Sequence, residues 1–368
     1  MATGKVQVNN LNLGQGAATE IERHLLFIGR AGSAEEESQL FSVNASSDLE
    51  TLLADSSLRD QVIAAQLNAG QNWTAAVYPL ADGETVFDAI DHANEVQSFE
   101  GVAVCDVQTT QEQITAIYDK VFSMPASAGR WNFALIAVPG IDPAAQTWPQ
   151  YEAAMVTLQD GIKAELVSLT PQLNGNNVGV VAGRLSDRSV SVADSPMRVA
   201  TGGVKGLGSM PVDSTGTPLS MATLETLATN RFSVPQWYND YDGIYWADCA
   251  MLDAEGGDYQ VIENVRVVHK ASRRIRLLAI QRIANRVLNS TPNSIELNKA
   301  YFMKPLRDMS KSTTINGIVF PGEVEPPQAD DIEITWTSKT AVVISITIRP
   351  YNSPKSITVN IALDLSAE

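Results

Sequence analysis

Gly101-Val102-Ala103-Val104-Cys105, the helix-prone run from Thr109 to Ser123, and Phe133-Ala134-Leu135-Ile136-Ala137-Val138 form the stretch that decides the fold. Two short apolar runs flank a segment long enough for a helix. That is the pattern of a strand–helix–strand unit with parallel strands covered on both faces. Working backward, the unit repeats. His24 to Gly29 reads as a strand, and Ser47-Asp48-Leu49-Glu50 as a helix start with a capping Ser and a Glu three residues on. Arg59 to Leu67 reads as helix, Trp73 to Tyr78 as strand, and Glu84 to Val96 as a helix with Val86, Ile90 and Ala93 at helical spacing. Working forward, Tyr151 to Leu166 reads as helix and Val178-Gly179-Val180-Val181-Ala182 as another strand. The expected class is α/β, with a largely parallel sheet.

Residues 184–235 are rich in Ser, Gly, Pro, Asp and Thr and read as a long loop region between substructures. An aromatic stretch follows, with Trp237, Tyr238, Tyr241, Tyr245 and Trp246. After the stiff connector Pro321 to Pro327, the chain turns β-rich: Ile332 to Trp336, Val342 to Ile348 and Ile357 to Leu365 alternate. In the last of these, Ile357, Val359, Ile361 and Leu363 share one face. At the other end, Lys5 to Leu11 alternates with Val6 and Val8 on one face. Neither terminal strand has an obvious local partner, so each is expected to join a sheet elsewhere in this chain or in another. The expected organisation is an arm over 1–20, an α/β domain over 21–235, a second domain over 236–345 and an arm over 346–368.

Charge is distributed unevenly. The chain carries a net charge of −16, yet the window Arg266 to Lys311 holds eleven basic residues and only Glu296 and Asp308 as acids. The window is therefore +9 and the remainder −25. Val268, Ala271, Ile275, Leu278 and Ala279 form one helical stripe, with Lys270, Arg273 and Arg274 opposite. Arg282 and Arg286 fall on the continuation of the apolar stripe, so this face is expected to change role near residue 280, with both arginines pointing outward. A second helix, Ile295 to Met309, carries Lys299, Lys304 and Arg307, with Lys311 just after it. The simpler reading is a pair of basic faces answering acidic faces of the same chain. Direct nucleic-acid binding fits poorly with the overall negative charge.

Signals for chemistry are sparse. Gly202 to Gly208 lacks the Lys-Ser/Thr of a phosphate loop, and Gly14-Gln15-Gly16 lacks the third glycine of a dinucleotide fingerprint. His24, His92 and His269 stand in unrelated settings. Asp240, Asp242, Asp248 and Asp253 read as turn and cap residues rather than as a carboxylate site. Cys105 and Cys249 are too few for a disulfide framework. No signal peptide and no apolar run of membrane-spanning length is recognised, so folding in a cytoplasm without membrane insertion is expected. No cofactor and no metal is expected.

Asp242-Gly243-Ile244-Tyr245-Trp246-Ala247-Asp248, Glu255 to Val268, Ala271 to Arg286, and Ile348-Arg349-Pro350-Tyr351-Asn352-Ser353-Pro354-Lys355-Ser356-Ile357-Thr358-Val359-Asn360 resemble the C-terminal half of contractile tail sheath proteins. The last of these stretches looks like the terminal strand of short phage and R-type bacteriocin sheaths. The resemblance covers about 236–368. It implies a mixed α/β fold with an outer domain inserted before a C-terminal sheath core, and arms at both ends. It also implies a structural, non-enzymatic subunit of a virion tail, assembled in the bacterial host cytoplasm. Subunits would stack as hexameric rings in a helical lattice around an inner tube and contract to drive that tube through an envelope. Implied partners are other copies of the chain, a tail tube protein, and baseplate and tail terminator proteins. The arms would lend Val6, Val8, Ile357, Val359, Ile361 and Leu363 to neighbouring sheets. A late basic helix would face the tube, with Arg282, Arg286, Lys299, Lys304, Arg307 and Lys311 as candidates. The rival readings are a type VI secretion-like sheath and a flavodoxin-like α/β enzyme.

Overall fold

The computed structural model describes residues 21–30 and 39–362. Its centre is a six-stranded sheet of β1 (Leu25–Arg30), β2 (Phe41–Asn44), β3 (Thr74–Leu80), β4 (Gly101–Val104), β5 (Phe133–Val138) and β6 (Val167–Pro171), in the order β2-β3-β1-β4-β5-β6. β3, β1, β4, β5 and β6 run parallel, and β2 adds an antiparallel edge. Every residue of β4 and β5 is buried, as continuous apolar strands between two helical layers should be.

Helices α1 (Leu49–Leu52) and α2 (Ser57–Ala69) lead from β2 to β3. Then α3 (Val86–Val96) leads to β4, α4 (Gln111–Ser127) to β5 and α5 (Trp148–Gln159) to β6. The right-handed crossover rule places α2 on one face and α3 and α4 on the other. In agreement, α3 packs on α4, and α2 packs on α6 (Asn177–Ser186). Local chemistry starts these helices. Ser56 accepts from Arg59 N, and Thr85 and Thr110 form reciprocal capping boxes with Asp88 and Gln113. At α1 the cap is Asp48, not Ser47, accepting from Thr51 N.

The run Val178 to Ala182 is helical, contrary to the expected strand. It is the middle of α6, where all ten residues are buried. A helix buried on every side is apolar on every side, so periodicity cannot separate it from a buried strand. Two glycines explain the burial. A Cβ at Gly179 would lie 2.0 Å from the Gln61 carbonyl oxygen, and one at Gly183 would lie 2.6 Å from that of Ala65. The α6 backbone is thus pressed onto α2, and Gln61 Oε1 accepts from Gly179 N at 2.6 Å. The sixth strand is β6, which sequence reading left unassigned between the expected helix Tyr151 to Leu166 and the expected strand at Val178. Helix α5 stops at Gln159, before Gly161 at φ +73°. Region 184–235 is mostly loop, as expected, but contains α7 (Met221–Thr229), capped by Ser220.

The hairpin β7 (Pro235–Tyr238) and β8 (Tyr241–Trp246) follows, then α8 (Ile262–Ile280). The main core continues through Trp246, Cys249, Met251 and Leu252 to Ile262 and Val265. Two smaller cores finish the molecule. One joins Val267 and Ala271 of α8 to Leu306, Met309 and Val324. The other joins Leu288, Phe302 and Met303 to Ile332 and Ile334. The expected single helix 295–309 is two, α9 (Pro292–Phe302) and α10 (Lys304–Met309), with Pro305 in the first turn of the second. Short hairpins β9 (Thr313–Ile315) with β10 (Ile318–Phe320), and β11 (Ile332–Trp336) with β12 (Val342–Ile346), complete the chain.

Candidate assembly surfaces

The basic window divides into an inward and an outward part. The first three turns of α8 are buried almost all round, and their bases are committed. Arg266 donates from Nε to Glu100 Oε1 at 2.7 Å, and from Nη2 to Glu100 Oε2 at 2.9 Å and Leu185 O at 2.8 Å. Glu100 lies just before β4, fully buried, and also accepts from Arg23 N. Burial alone would push its carboxyl up, but the Arg266 charge and hydrogen bonds outweigh this and hold it below the usual carboxylate range. Arg273 pairs with Glu22 at 2.9 Å and Lys270 with Glu323 at 2.5 Å. The pKa of buried His269 is pushed down to about 3, first by burial and then by Arg273.

The six basic residues expected to face outward do not form one surface. Arg282 turns inward: Nε donates to Asn298 Oδ1 at 2.9 Å and the guanidinium lies 3.7 Å from the Tyr301 ring centre. Its expected outward pairing with Arg286 is therefore not formed. The helix ends at Ile280, so the four-residue spacing no longer aligns the two side chains. Lys299 is half-buried against Glu296. Lys304, Arg307 and Lys311 are exposed on and after α10. Lys311 binds Asp308 at 2.7 Å, and this bond, the Lys311 charge, and then Lys304 and Arg274 depress the Asp308 carboxyl. A cationic face thus joins α10 to the middle of α8. Arg286 lies apart from it, past the end of α8 and beside exposed Ile283 and Val287.

The C-terminal segment is fastened at two points and then released. Arg349 pairs with Asp331 at 2.6 Å, and Val324 bridges to Pro350. Lys355 then reaches both Asp248 at 2.6 Å and Glu263 at 2.5 Å. Beyond it, Ile357, Val359 and Ile361 are 75, 74 and 91% exposed. The expected strand pairing is not made within the described chain, since residues 353–362 belong to no sheet. Leu363, Val6 and Val8 lie outside the described residues. Nearby, β11 and β12 pair only with each other among the described residues.

Sequence reading missed the partners of the fixed bases. Glu100 and Glu22 are remote in the chain from α8, and no local signal marks them. Asp240 and Asp253 do act as turn residues, Asp240 at φ +59° and Asp253 accepting from Tyr259 N at 2.8 Å. Asp248 is an anchor instead.

At the carboxyl ends of β1, β3 and β4 is a cleft lined by Arg30, Glu84, Cys105, Asp106 and Gln113. This is where doubly wound sheets hold ligands. Its carboxylates have internal partners: Glu84 accepts from the Tyr78 hydroxyl at 2.6 Å, and Asp106 accepts from Arg30 N at 3.0 Å.

The family models described as "DUF2586, N-terminal domain" and "DUF2586, C-terminal domain" match residues 3–250 and 258–366. A protein of Haemophilus phage HP1 named "Putative tail sheath protein" is 49% identical over 371 residues, spanning 98% of each chain. The chain belongs to the tail sheath family. Solved sheath structures share the fold at low identity. The sheath of the extracellular contractile injection system PVC, in its contracted state, superposes with a TM-score of 0.63 at 12% identity, covering 100% of this chain and 99% of that one. The contracted anti-feeding prophage sheath gives 0.56 at 15% identity, covering 98% and 99%. The sheath tail protein of Desulfitobacterium hafniense gives 0.56 at 10% identity, covering 94% and 96%. The mixed α/β sheath fold therefore extends through the described residues on both sides of position 235, including the part before it, where only periodicity guided the sequence reading.

Proposed function

We propose that this chain is the repeating subunit of a phage tail sheath, a structural and not an enzymatic component of the virion, assembled in the host cytoplasm. The observation that carries the reading is the C-terminal arm. An alternating apolar segment is held at Lys355 and then left exposed, while β11 and β12 pair only with each other among the described residues. β11 and β12 pack on α9 through Ile332 and Ile334 but leave their outer edges unpaired among the described residues, and an exposed apolar strand is a liability unless another copy takes it up. Strand addition between copies answers both, with main-chain hydrogen bonds supplying a link that tolerates rotation. Val6 and Val8 would serve in the same way at the other end.

Subunits so linked would stack as six-membered rings in a helical lattice around an inner tube, with a baseplate at one end and a terminator at the other. The α8–α10 cationic face, Lys304 and Arg307 with Arg274 and Lys311, is the surface we assign to the tube. Arg282 and Lys299 would instead shape that region from within. Charge contacts suit a surface that must let go, because they part without baring a large apolar patch. On triggering, each ring would exchange tube contacts for subunit contacts and pull the next through the arms, driven by the difference between two packings. We place the arms at 1–20 and 346–368, the outer domain at 21–235 and the tube-facing domain at 236–345.

The test is electron microscopy of the full chain expressed alone and with the adjacent tube gene. Hollow cylinders with a helical surface lattice are expected, whereas a persistent monomer in both conditions rejects the reading. Reversing Lys304 and Arg307 to Glu should stop assembly on the tube while the subunit stays folded. Normal tails from that variant would remove the tube-facing assignment.

A further inference from the structure

The aromatic stretch noted in the sequence has no role in the arms or the tube face. Tyr238 and Tyr241 lie at the tip of the β7–β8 hairpin. Tyr238, Tyr241 and Tyr245 cluster edge-on and tilted, with ring centres 5.7 to 6.4 Å apart. Tyr238 and Tyr241 are 41 and 56% exposed, and Asp240 and Asp242 flank them in the open. Tyr245 is buried and fixes the cluster, its hydroxyl donating to Asp242 O at 2.8 Å. Among the described residues, neither aspartate has a basic partner within salt-bridge range. A cluster of half-exposed tyrosine rings flanked by two carboxylates is the chemistry that receives a guanidinium, through ring π faces and charge together.

The chain carries a matching surface. Past the end of α8, Arg286 stands in a shallow depression with Gln281, Ile283 and Val287, of which Ile283 and Val287 are exposed. It is basic and aliphatic where the hairpin tip is acidic and aromatic. The two patches do not cover one another within a chain, since Tyr241 and Ile283 both remain exposed. They also belong to different parts of the molecule. The hairpin roots in the main core through Trp246, whereas the α8–α9 corner sits over the core of Leu288, Phe302 and Ile332.

We propose that the Tyr238–Asp242 hairpin tip docks on the α8–α9 corner of a second copy of this chain, seating Arg286 against Tyr241 between Asp240 and Asp242. The contact joins two different patches, so it is heterologous. Repetition of such a contact without closure builds a helix. The inference rests on the sheath reading and adds a side-chain contact distinct from the arms and from the α10 cationic face.

The test uses the full chain. A short bismaleimide should cross-link Asn239→Cys, exposed in the same turn and outside the proposed contact, with Val287→Cys into a ladder of multimers when both changes are on one chain. A mixture of the two single variants should give dimers only, and either single variant alone should give none. Native Cys105 and Cys249 are buried and leave the background low. In the cylinder assay, Arg286→Glu should lower the yield roughly tenfold, and adding Asp242→Arg should restore it. Absence of the cross-link, or its appearance on the tube protein instead, overturns the proposal. So do cylinders formed by Arg286→Glu at the normal yield. Failure of the unaltered chain to form cylinders counts against the sheath reading, and the cross-link then decides the docking by itself.

Discussion

Replacing Arg266 by Met should cost this protein about 3–5 kcal/mol. The side chain makes three hydrogen bonds, two to Glu100 and one to Leu185 O, and is 2% exposed. Methionine fills much of the space but strands a fully buried carboxylate with Arg23 N as its remaining close donor. A loss of that size is a large share of the roughly 5–15 kcal/mol by which a domain is stable. It should fall on the joint between α8 and the main sheet. The assay is urea unfolding of the full chain followed by tryptophan fluorescence, with Trp73 and Trp246 as buried reporters. Two internal controls sharpen it. Adding Glu100→Gln, which still accepts from Arg23 N, should recover at least about 2 kcal/mol. Lowering the pH should also shrink the deficit. Without Arg266, burial raises the Glu100 pKa, and the penalty for the charged form disappears as pH falls through that raised value. A variant within about 1 kcal/mol of the parent at neutral pH would refute the claim that this pair joins the two parts.

Other outcomes follow from the same contacts. Gly179→Ala places a Cβ 2.0 Å from the Gln61 carbonyl and should cost about 3 kcal/mol or more, read as a drop in melting temperature. His269 stays neutral in the fold down to about 3, while the unfolded chain takes a proton near 6.5. Stability from this group is therefore lost as pH falls between those values, by up to about 1.4 kcal/mol per unit. His269→Leu should flatten that slope in urea titrations run at stepped pH. Removing residues 356–368 should leave the melting temperature unchanged, because Ile357, Val359 and Ile361 bury almost nothing within the chain, yet abolish cylinders seen by electron microscopy.

The parallel sheet was legible from the sequence because its central strands are buried on both faces and written as unbroken apolar runs between helices. Val102 to Val104 and Phe133 to Val138 state this without outside help. The C-terminal resemblance was equally legible, since it rests on long ordered stretches from Asp242 to Asn360. Tertiary structure decided what those signals leave open. Val178 to Ala182 could be strand or helix until Gly179 and Gly183 met the α2 backbone, because an element buried all round has no polar face to reveal its period. The basic window could be one outward face until folding carried Glu22, Glu100 and Glu323 to Arg273, Arg266 and Lys270. What remains outside, Arg286 on one corner and Lys304 and Arg307 on another, depends on which carboxylates distant segments deliver. Charge along a chain fixes how much there is to neutralise, and only the packed fold fixes which charges are left to meet a partner.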